Sequence, residues 1–260
     1  SGEVPGSLLN QFSMDEYERH FRLVTTVNQY QERTYGTGPD AAISWENPST
    51  DNALYTLDQD LNIVGKLEHL AKGERVYSVR FDGDIAYFVT FRQVDPLFTV
   101  DLKDPARPIL LSELKIPGFS EYLHPYMDGL LFGLGKDANK TTGVVNGMKL
   151  SMFDVSDKAN VTEKDKLLLP NVNWSSASYN HKAIVISADR GLIAFPADTD
   201  YIIFSYSKEH GFTQLAKVNL INSDYYGSET RGLFIGDVFY VCSAEQIASY
   251  AMTGGYREIS

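Results

Sequence analysis

Short apolar runs alternate with turn-forming clusters along the whole chain, and no long stretch holds a clean 3.6-residue period. Residues 74–81 read as a strand, and Asp82-Gly83-Asp84 as a hairpin turn, because Gly beside Asp supplies positive φ at little steric cost. Residues 85–90 and 97–101 are the next two strands, Leu102-Lys103-Asp104-Pro105 turns the chain, and 109–114 are the fourth strand. The same order returns at 121–126, the turn Asp128-Gly129, 130–133, 149–154 and near 164–169, with Val155-Ser156-Asp157-Lys158 in the second turn. A further copy runs through 183–186, 192–195, 201–206 and 212–218, and the last through 232–234, 238–242, 247–251 and 257–259. The first copy is the most divergent, with strands expected at 8–14, 21–27, 53–57 and 62–67 and a polar loop insertion over 29–51.

Connectors repeat as well. Val4-Pro5-Gly6 and Ile116-Pro117-Gly118 each stand ahead of a Met-Asp pair, Met14-Asp15 and Met127-Asp128. Pro-Gly after an outer strand suits a chain that must leave one sheet and start the next. Four strands per unit of about 40–65 residues predict an all-β protein, a β-propeller of about five four-stranded antiparallel blades. The expected single domain covers 1–260, with blades at roughly 4–69, 70–115, 116–169, 170–220 and 221–260. A β-sandwich also has many short strands, but it does not repeat one turn at the same place in each unit. Each copy runs from an inner to an outer strand, so closure of five blades would rest on side-chain packing. If Val4-Pro5-Gly6 is such a link, another unit precedes it, and the chain is a fragment of a larger propeller.

The aromatic content of 12%, with 16 Tyr and 14 Phe, agrees with pleated structure. A net charge of -11 without a basic patch argues against nucleic acid. One cysteine, Cys242, excludes an intrachain disulfide; it lies in a strand and reads as a buried thiol. Apolar runs reach about five or six residues, too short for a helical membrane span. No signal peptide stands in this segment, although the parent protein could be anchored. Asn139, Asn160 and Asn173 begin Asn-x-Ser/Thr sequons.

The string 97–108, Leu-Phe-Thr-Val-Asp-Leu-Lys-Asp-Pro-Ala-Arg-Pro, resembles the bacterial LVIVD-type repeat, and 150–157 matches it again, with Lys158 where the repeat has Pro. More broadly, the strings at 9–17, 73–81, 89–97 and 180–183 resemble a family of secreted bacterial proteins with a C-terminal β-propeller domain distantly related to WD-repeats. That resemblance spans nearly the whole chain. It implies an extracellular or cell-surface location in bacteria, a parent longer than this chain, and no particular chemistry.

Candidate site residues follow from the expected architecture, in which inner-strand ends meet at a channel mouth. Arg80, His124, His181 and Arg231 stand on or near predicted inner strands and would bind an anionic ligand or a peptide carboxylate; the plainer alternative is hydrogen bonding to water and backbone in a wet channel. Arg92 and Asp95, in the loop 91–96, would contact a partner or pair with each other. Trp45, in the long loop, suits a sugar or protein partner, whereas Trp174 reads as packed between blades. Asp58, Asp60 and Asn62 have calcium-loop spacing, but Ile63 and His69 stand where an EF-hand needs Gly and Glu. Asp101 with Asp104, and Asp154 with Asp157, read as turn formers, with calcium a secondary reading. No cofactor and no metal site is expected. The five histidines show no ligand spacing, and no nucleophile elbow or phosphate-binding loop occurs.

These observations favour a non-catalytic binding or scaffold module with a protein, peptide or glycan partner. A hydrolase or lyase acting on cell-wall polymer or peptide at the channel mouth, and a purely structural assembly domain, are the alternatives.

Overall fold

The structure is a computed structural model that describes residues 1–36, 42–91, 95–139, 141–219, 230–244 and 246–260. Among these residues it holds five four-stranded antiparallel sheets, each an uninterrupted meander in chain order. The first comprises β1 (Met14–Tyr17), β2 (His20–Tyr35), β3 (Ala42–Leu57) and β4 (Ile63–Leu70). The second comprises β5 (Arg75–Asp82), β6 (Ile85–Phe91), β7 (Asp95–Asp101) and β8 (Ile109–Ile116). The third comprises β9 (Phe119–Met127), β10 (Leu130–Ala138), β11 (Val145–Asp154) and β12 (Thr162–Leu169). The fourth comprises β13 (Val185–Ser187), β14 (Leu192–Ala197), β15 (Asp200–Ser207) and β16 (Gly211–Asn219). The fifth comprises β17 (Arg231–Ile235), β18 (Val238–Cys242), β19 (Ile247–Ala251) and β20 (Arg257–Glu258). The only helical segments among the described residues are three-residue 3-10 turns, and no helix is long and apolar enough to cross a membrane.

The repeat extends to the register. In four sheets the pairing of third and fourth strands slips by one residue at the same place: after Thr56↔Gly65, Thr99↔Ser112, Met152↔Asp165 and Ile203↔Ala216. The slip leaves one extra residue on the outer strand, a β-bulge that strengthens its twist.

The first sheet departs most from expectation. Residues 8–14 are not one strand: Ser7 pairs with Thr26, and a 3-10 turn at Gln11–Ser13, capped by Asn10, interrupts the ladder before Met14 pairs with Leu23. Met14 therefore opens β1 while Met127 ends β9, so the two Met-Asp pairs are not equivalent. The described part of the predicted loop at 29–51 is instead a two-stranded ribbon. Pairing continues from Val27↔Asp51 to Tyr35↔Ala42, beyond the reach of β1 and β4. Alternating polar and β-branched or aromatic residues serve a ribbon that needs no buried face, and composition alone does not separate that from a loop.

Contacts group the described residues into two compact units, one of residues 1–119 with 158–161, the other of 120–157 with 162–260. In the first, Val24 and Leu54 of sheet one pack with Val76, Val79, Ala86, Phe88, Phe98 and Val100 of sheet two. The opposite face of sheet one buries Leu23, Ala53, Tyr55 and Leu57. This is period-two burial, with even residues of β2 on one face and odd ones on the other. The β7–β8 turn also seats against sheet one, where Thr56 Oγ1 donates to the Pro105 carbonyl. The chain between β4 and β5 is held by Asn52, whose Nδ2 donates to Leu70 O at 3.0 Å and Glu74 O at 3.2 Å. In the second unit, Leu192, Ala194, Tyr201 and Ile203 of sheet four pack with Phe239, Val241, Tyr250 and Tyr256. Tyr201 Oη donates to Ala183 O at 3.0 Å, and Tyr206 Oη donates to Asp165 Oδ2 at 2.7 Å.

Two stability predictions follow from this packing. A Cβ at Gly65 would overlap the Pro105 carbonyl oxygen, with Thr56 Oγ1 2.7 Å and Pro108 Cδ 2.9 Å away. Gly65→Ala is expected to destabilise the domain by about 1–3 kcal/mol in urea unfolding, and unchanged stability would refute the seating of that turn. Burial pushes the pKa of Tyr126 up to about 12, and burial followed by the Glu68 hydrogen bond does the same for Tyr55. Unfolding releases these phenols to ionise near 10, so stability is expected to hold below pH 10 and fall from there towards pH 12. Among the described residues Tyr126 Oη has no hydrogen-bond partner. Tyr126→Phe is therefore expected to leave neutral-pH stability nearly unchanged and to flatten the alkaline decline, as read by chemical unfolding across pH.

Candidate functional site

A buried arginine organises one end of the first unit. Arg22 lies on the face of β2 that carries Val24 into the core, and only 2% of it is exposed. Its Nη1 donates to Gly83 O at 2.7 Å, and its Nη2 pairs with Asp15 Oδ2. The guanidinium sits between the rings of Tyr17 and Phe81, 4.8 and 4.9 Å from their centroids. A cation at a core position is tolerated only when paired and stacked in this way. One donor is left over: the Arg22 Nε–H is buried and has no partner among the described residues.

Arg22 lines a cleft of about 340 Å³, with Tyr17, Glu18 and His20 from the β1–β2 hairpin on one side and Asp84, Leu102, Lys103 and Pro105 from sheet two on the other. A second, more open cleft of about 430 Å³ lies between Glu16, Arg19 and Phe21 of the same hairpin and the β3–β4 turn at Asp58, Gln59 and Leu61. Asp58 Oδ1 accepts the backbone N–H groups of Asp60 and Asn62, each at 2.9 Å, and the Asn62 bond is the main cause holding its pKa below the usual value.

The turn dividing the clefts breaks the rule of the repeat. In the other four sheets the connection between first and second strands carries a glycine in the left-handed region: Gly83 (φ 56°), Gly129 (φ 72°), Gly191 (φ 62°) and Gly236 (φ 57°). In sheet one that region holds Glu18 (φ 48°) and Arg19 (φ 65°). For an L-residue this conformation costs about 1–2 kcal/mol. Local bonds hold it: Arg19 N donates to Glu16 Oε1 at 3.0 Å, and His20 Nδ1–H donates to Glu18 O at 3.0 Å. Glu18 lines one cleft and Arg19 the other.

The sequence-predicted residues fall elsewhere. Arg80 is half-buried in β5, its guanidinium 3.9 Å from the centre of the Phe12 ring, in the first unit. The other three channel candidates belong to the second unit. His124, in β9, lies with its Nδ1 3.0 Å from Tyr122 Oη. His181 is half-buried in the turn before β13, outside any strand, and Arg231 is exposed as the first residue of β17. Trp45 lies in β3 opposite Glu32 rather than in a loop, and Asp95 opens β7; the side chains of both lie outside the described residues, as does all of Arg92. Cys242 ends β18 half-buried, not buried. Trp174 is half-buried with its ring centroid 5.8 Å from that of Tyr179. Asp58, Asp60 and Asn62 form a turn bonded to itself, and no group of three or more His, Cys, Asp or Glu among the described residues is placed to hold a metal ion. Of the cleft residues only Glu18 and Arg19 were open to a sequence signal: one copy of a repeated glycine turn carries Glu-Arg instead.

Comparison with known proteins extends these findings. A family model described as a beta propeller domain matches residues 1–254. An uncharacterized protein of Archaeoglobus fulgidus is 37% identical over 247 residues, which are 95% of this chain and 34% of that protein. An uncharacterized protein of Methanocaldococcus jannaschii is 38% identical over 248 residues, 95% of this chain and 35% of that protein. The chain thus spans about a third of the length of these relatives. A crystal structure of a protein from Lactobacillus plantarum superimposes with a TM-score of 0.56 at 15% identity, covering 98% of this chain and 71% of that one, a likeness of fold alone.

Replacing the turn by the pair that suits it, E18N/R19G, is expected to raise stability by about 1–2 kcal/mol, seen as a higher Tm. Arg22→Ala is expected to lower stability by about 3 kcal/mol, because it empties a core position and strands the Gly83 carbonyl. An R22A domain as stable as the parent would remove Arg22 from its organising role.

Proposed function

We propose that this chain, which belongs to the beta propeller domain family, is a non-catalytic binding module whose ligand surface is the pair of clefts beside the β1–β2 turn. The observation that carries the reading is Glu18–Arg19. In the other four sheets the connection between first and second strands uses a glycine in this region, so the fold itself does not call for charged side chains there. Residues kept in a strained conformation mark positions where the side chain matters more than the backbone energy. These two reach opposite clefts, each walled by an aromatic ring and charged groups. Binding residues commonly sit on such turns above a rigid scaffold.

The location follows the resemblance of the strings at 9–17, 73–81 and 89–97: a secreted or cell-surface protein, with the string at 97–108 in the LVIVD style. The two relatives named above are archaeal. The partner is a protein, peptide or glycan, and chemistry carried out by the parent protein would belong to segments outside this domain. Calcium, the secondary reading for the acidic turns, enters the test as one condition.

A thermal-shift panel of calcium, EDTA, cell-wall glycans and short peptides tests the proposal. A ligand of the native state at a hundredfold excess over its Kd adds about 2.7 kcal/mol of stability. The expected result is a hit that also slows hydrogen exchange at 16–22 or 102–105. A flat panel, or a hit whose protection lies wholly elsewhere, overturns it.

A further inference from the structure

The two clefts share one chemical plan. The first offers two carboxylates (Glu18, Asp84), an ammonium (Lys103), the paired guanidinium of Arg22, the imidazole of His20 and the phenol ring of Tyr17. The second offers two carboxylates (Glu16, Asp58), one guanidinium (Arg19) and one aromatic ring (Phe21). Aliphatic surface completes each wall, Leu102 and Pro105 in one and Leu61 in the other. Carboxylates only accept hydrogen bonds, and ammonium and guanidinium groups only donate.

This plan sorts ligands by charge. An anion placed against Lys103 would also face Glu18 and Asp84. A cation placed between those carboxylates would face Lys103 and the buried guanidinium. Either choice leaves charges of like sign together at the cleft wall, which disfavours the complex. A hydroxyl group donates and accepts at once, so it can bridge a carboxylate and a cation without opposing either. A sugar ring carries several hydroxyls around a flat apolar face, and that face suits an aromatic wall; Tyr17 is 39% exposed, with Arg22 against its ring. The volumes, about 340 and 430 Å³, lie at the small end of ligand pockets, sized for sugar units and not for a folded partner.

We infer that the clefts flanking the β1–β2 turn take neutral polyhydroxylated units of a glycan, with Glu18 and Lys103 bridged by hydroxyls in one and Asp58 and Arg19 in the other. The inference rests on the reading of these clefts as the binding surface. It makes the Glu18–Arg19 turn the part that sets specificity.

The test is calorimetry of the whole domain against maltohexaose, cellohexaose, chitohexaose and a neutral glycan array, with an oligogalacturonate and a lysine-rich decapeptide as charged comparators. At least one neutral glycan is expected to bind with micromolar to millimolar Kd, and both comparators at least tenfold more weakly. E18N/R19G is expected to weaken that binding at least tenfold while its Tm stays equal or rises, so loss of folding cannot explain the result. Lys103→Ala, a substitution on the opposite wall, is expected to weaken it about threefold or more. Failure of every neutral glycan overturns the inference, as does binding that both variants leave intact. If the decapeptide or the oligogalacturonate binds instead and E18N/R19G abolishes it, the glycan assignment fails while the clefts stand as a binding surface. If nothing binds, both readings fall.

Discussion

A short four-stranded sheet has two faces and cannot bury either by itself, and the rest of this structure depends on that constraint. Sheet one buries apolar residues on both of its faces, so it needs packing partners on both. Within the first unit the solution is visible in detail. Val24 and Leu54 enter the space lined by Val79, Phe88 and Phe98, while Leu23 and Tyr55 are buried on the reverse face. Within the second, Tyr201 and Ile203 meet Phe239 and Tyr250 in the same manner. Outer-strand bulges at equivalent places in four sheets repeat the same local twist.

Arg22 is the departure that turns this packing into a site. Its neighbour two residues on, Val24, is an ordinary core residue. The arginine instead brings Asp15, Tyr17, Phe81 and the Gly83 carbonyl to one point, and so fixes the β1–β2 hairpin against the first turn of sheet two. The clefts on either side of that hairpin are a consequence of where it is pinned.

Much of the fold was legible because its signals are local and repeated. Alternating apolar residues and glycine turns marked the strands of sheets two to five to within a few residues, and the repeated turn after the third strand marked the units. What failed is instructive. The strand expected at 8–14 is apolar enough, yet Asn10 and Ser13 cap a turn there, and side-chain capping competes with a ladder in a way that hydrophobic pattern does not register. The polar run at 29–51 lacks a buried face, which is the feature that pattern reading detects, so its ribbon was invisible. The candidate site was hidden for a third reason. Arg22, Asp84 and Lys103 are distant in sequence, and only the register of β2 and the seating of the β7–β8 turn bring them together. The channel-mouth candidates were chosen from an expected architecture, whereas the cleft depends on one atypical residue within it.

The ribbon formed by the outer halves of β2 and β3 has a bearing on how this domain can change over time. Beyond Val27↔Asp51 its strands pair only with each other among the described residues, and β3 already absorbs one extra residue near Gln29 and Gln31. No core contact described above depends on how far it extends. Residues can be gained or lost there in matched pairs without altering the register of the four strands below. It is therefore a segment where length can drift between species while the packing stays fixed, and a natural place to graft a foreign peptide for display.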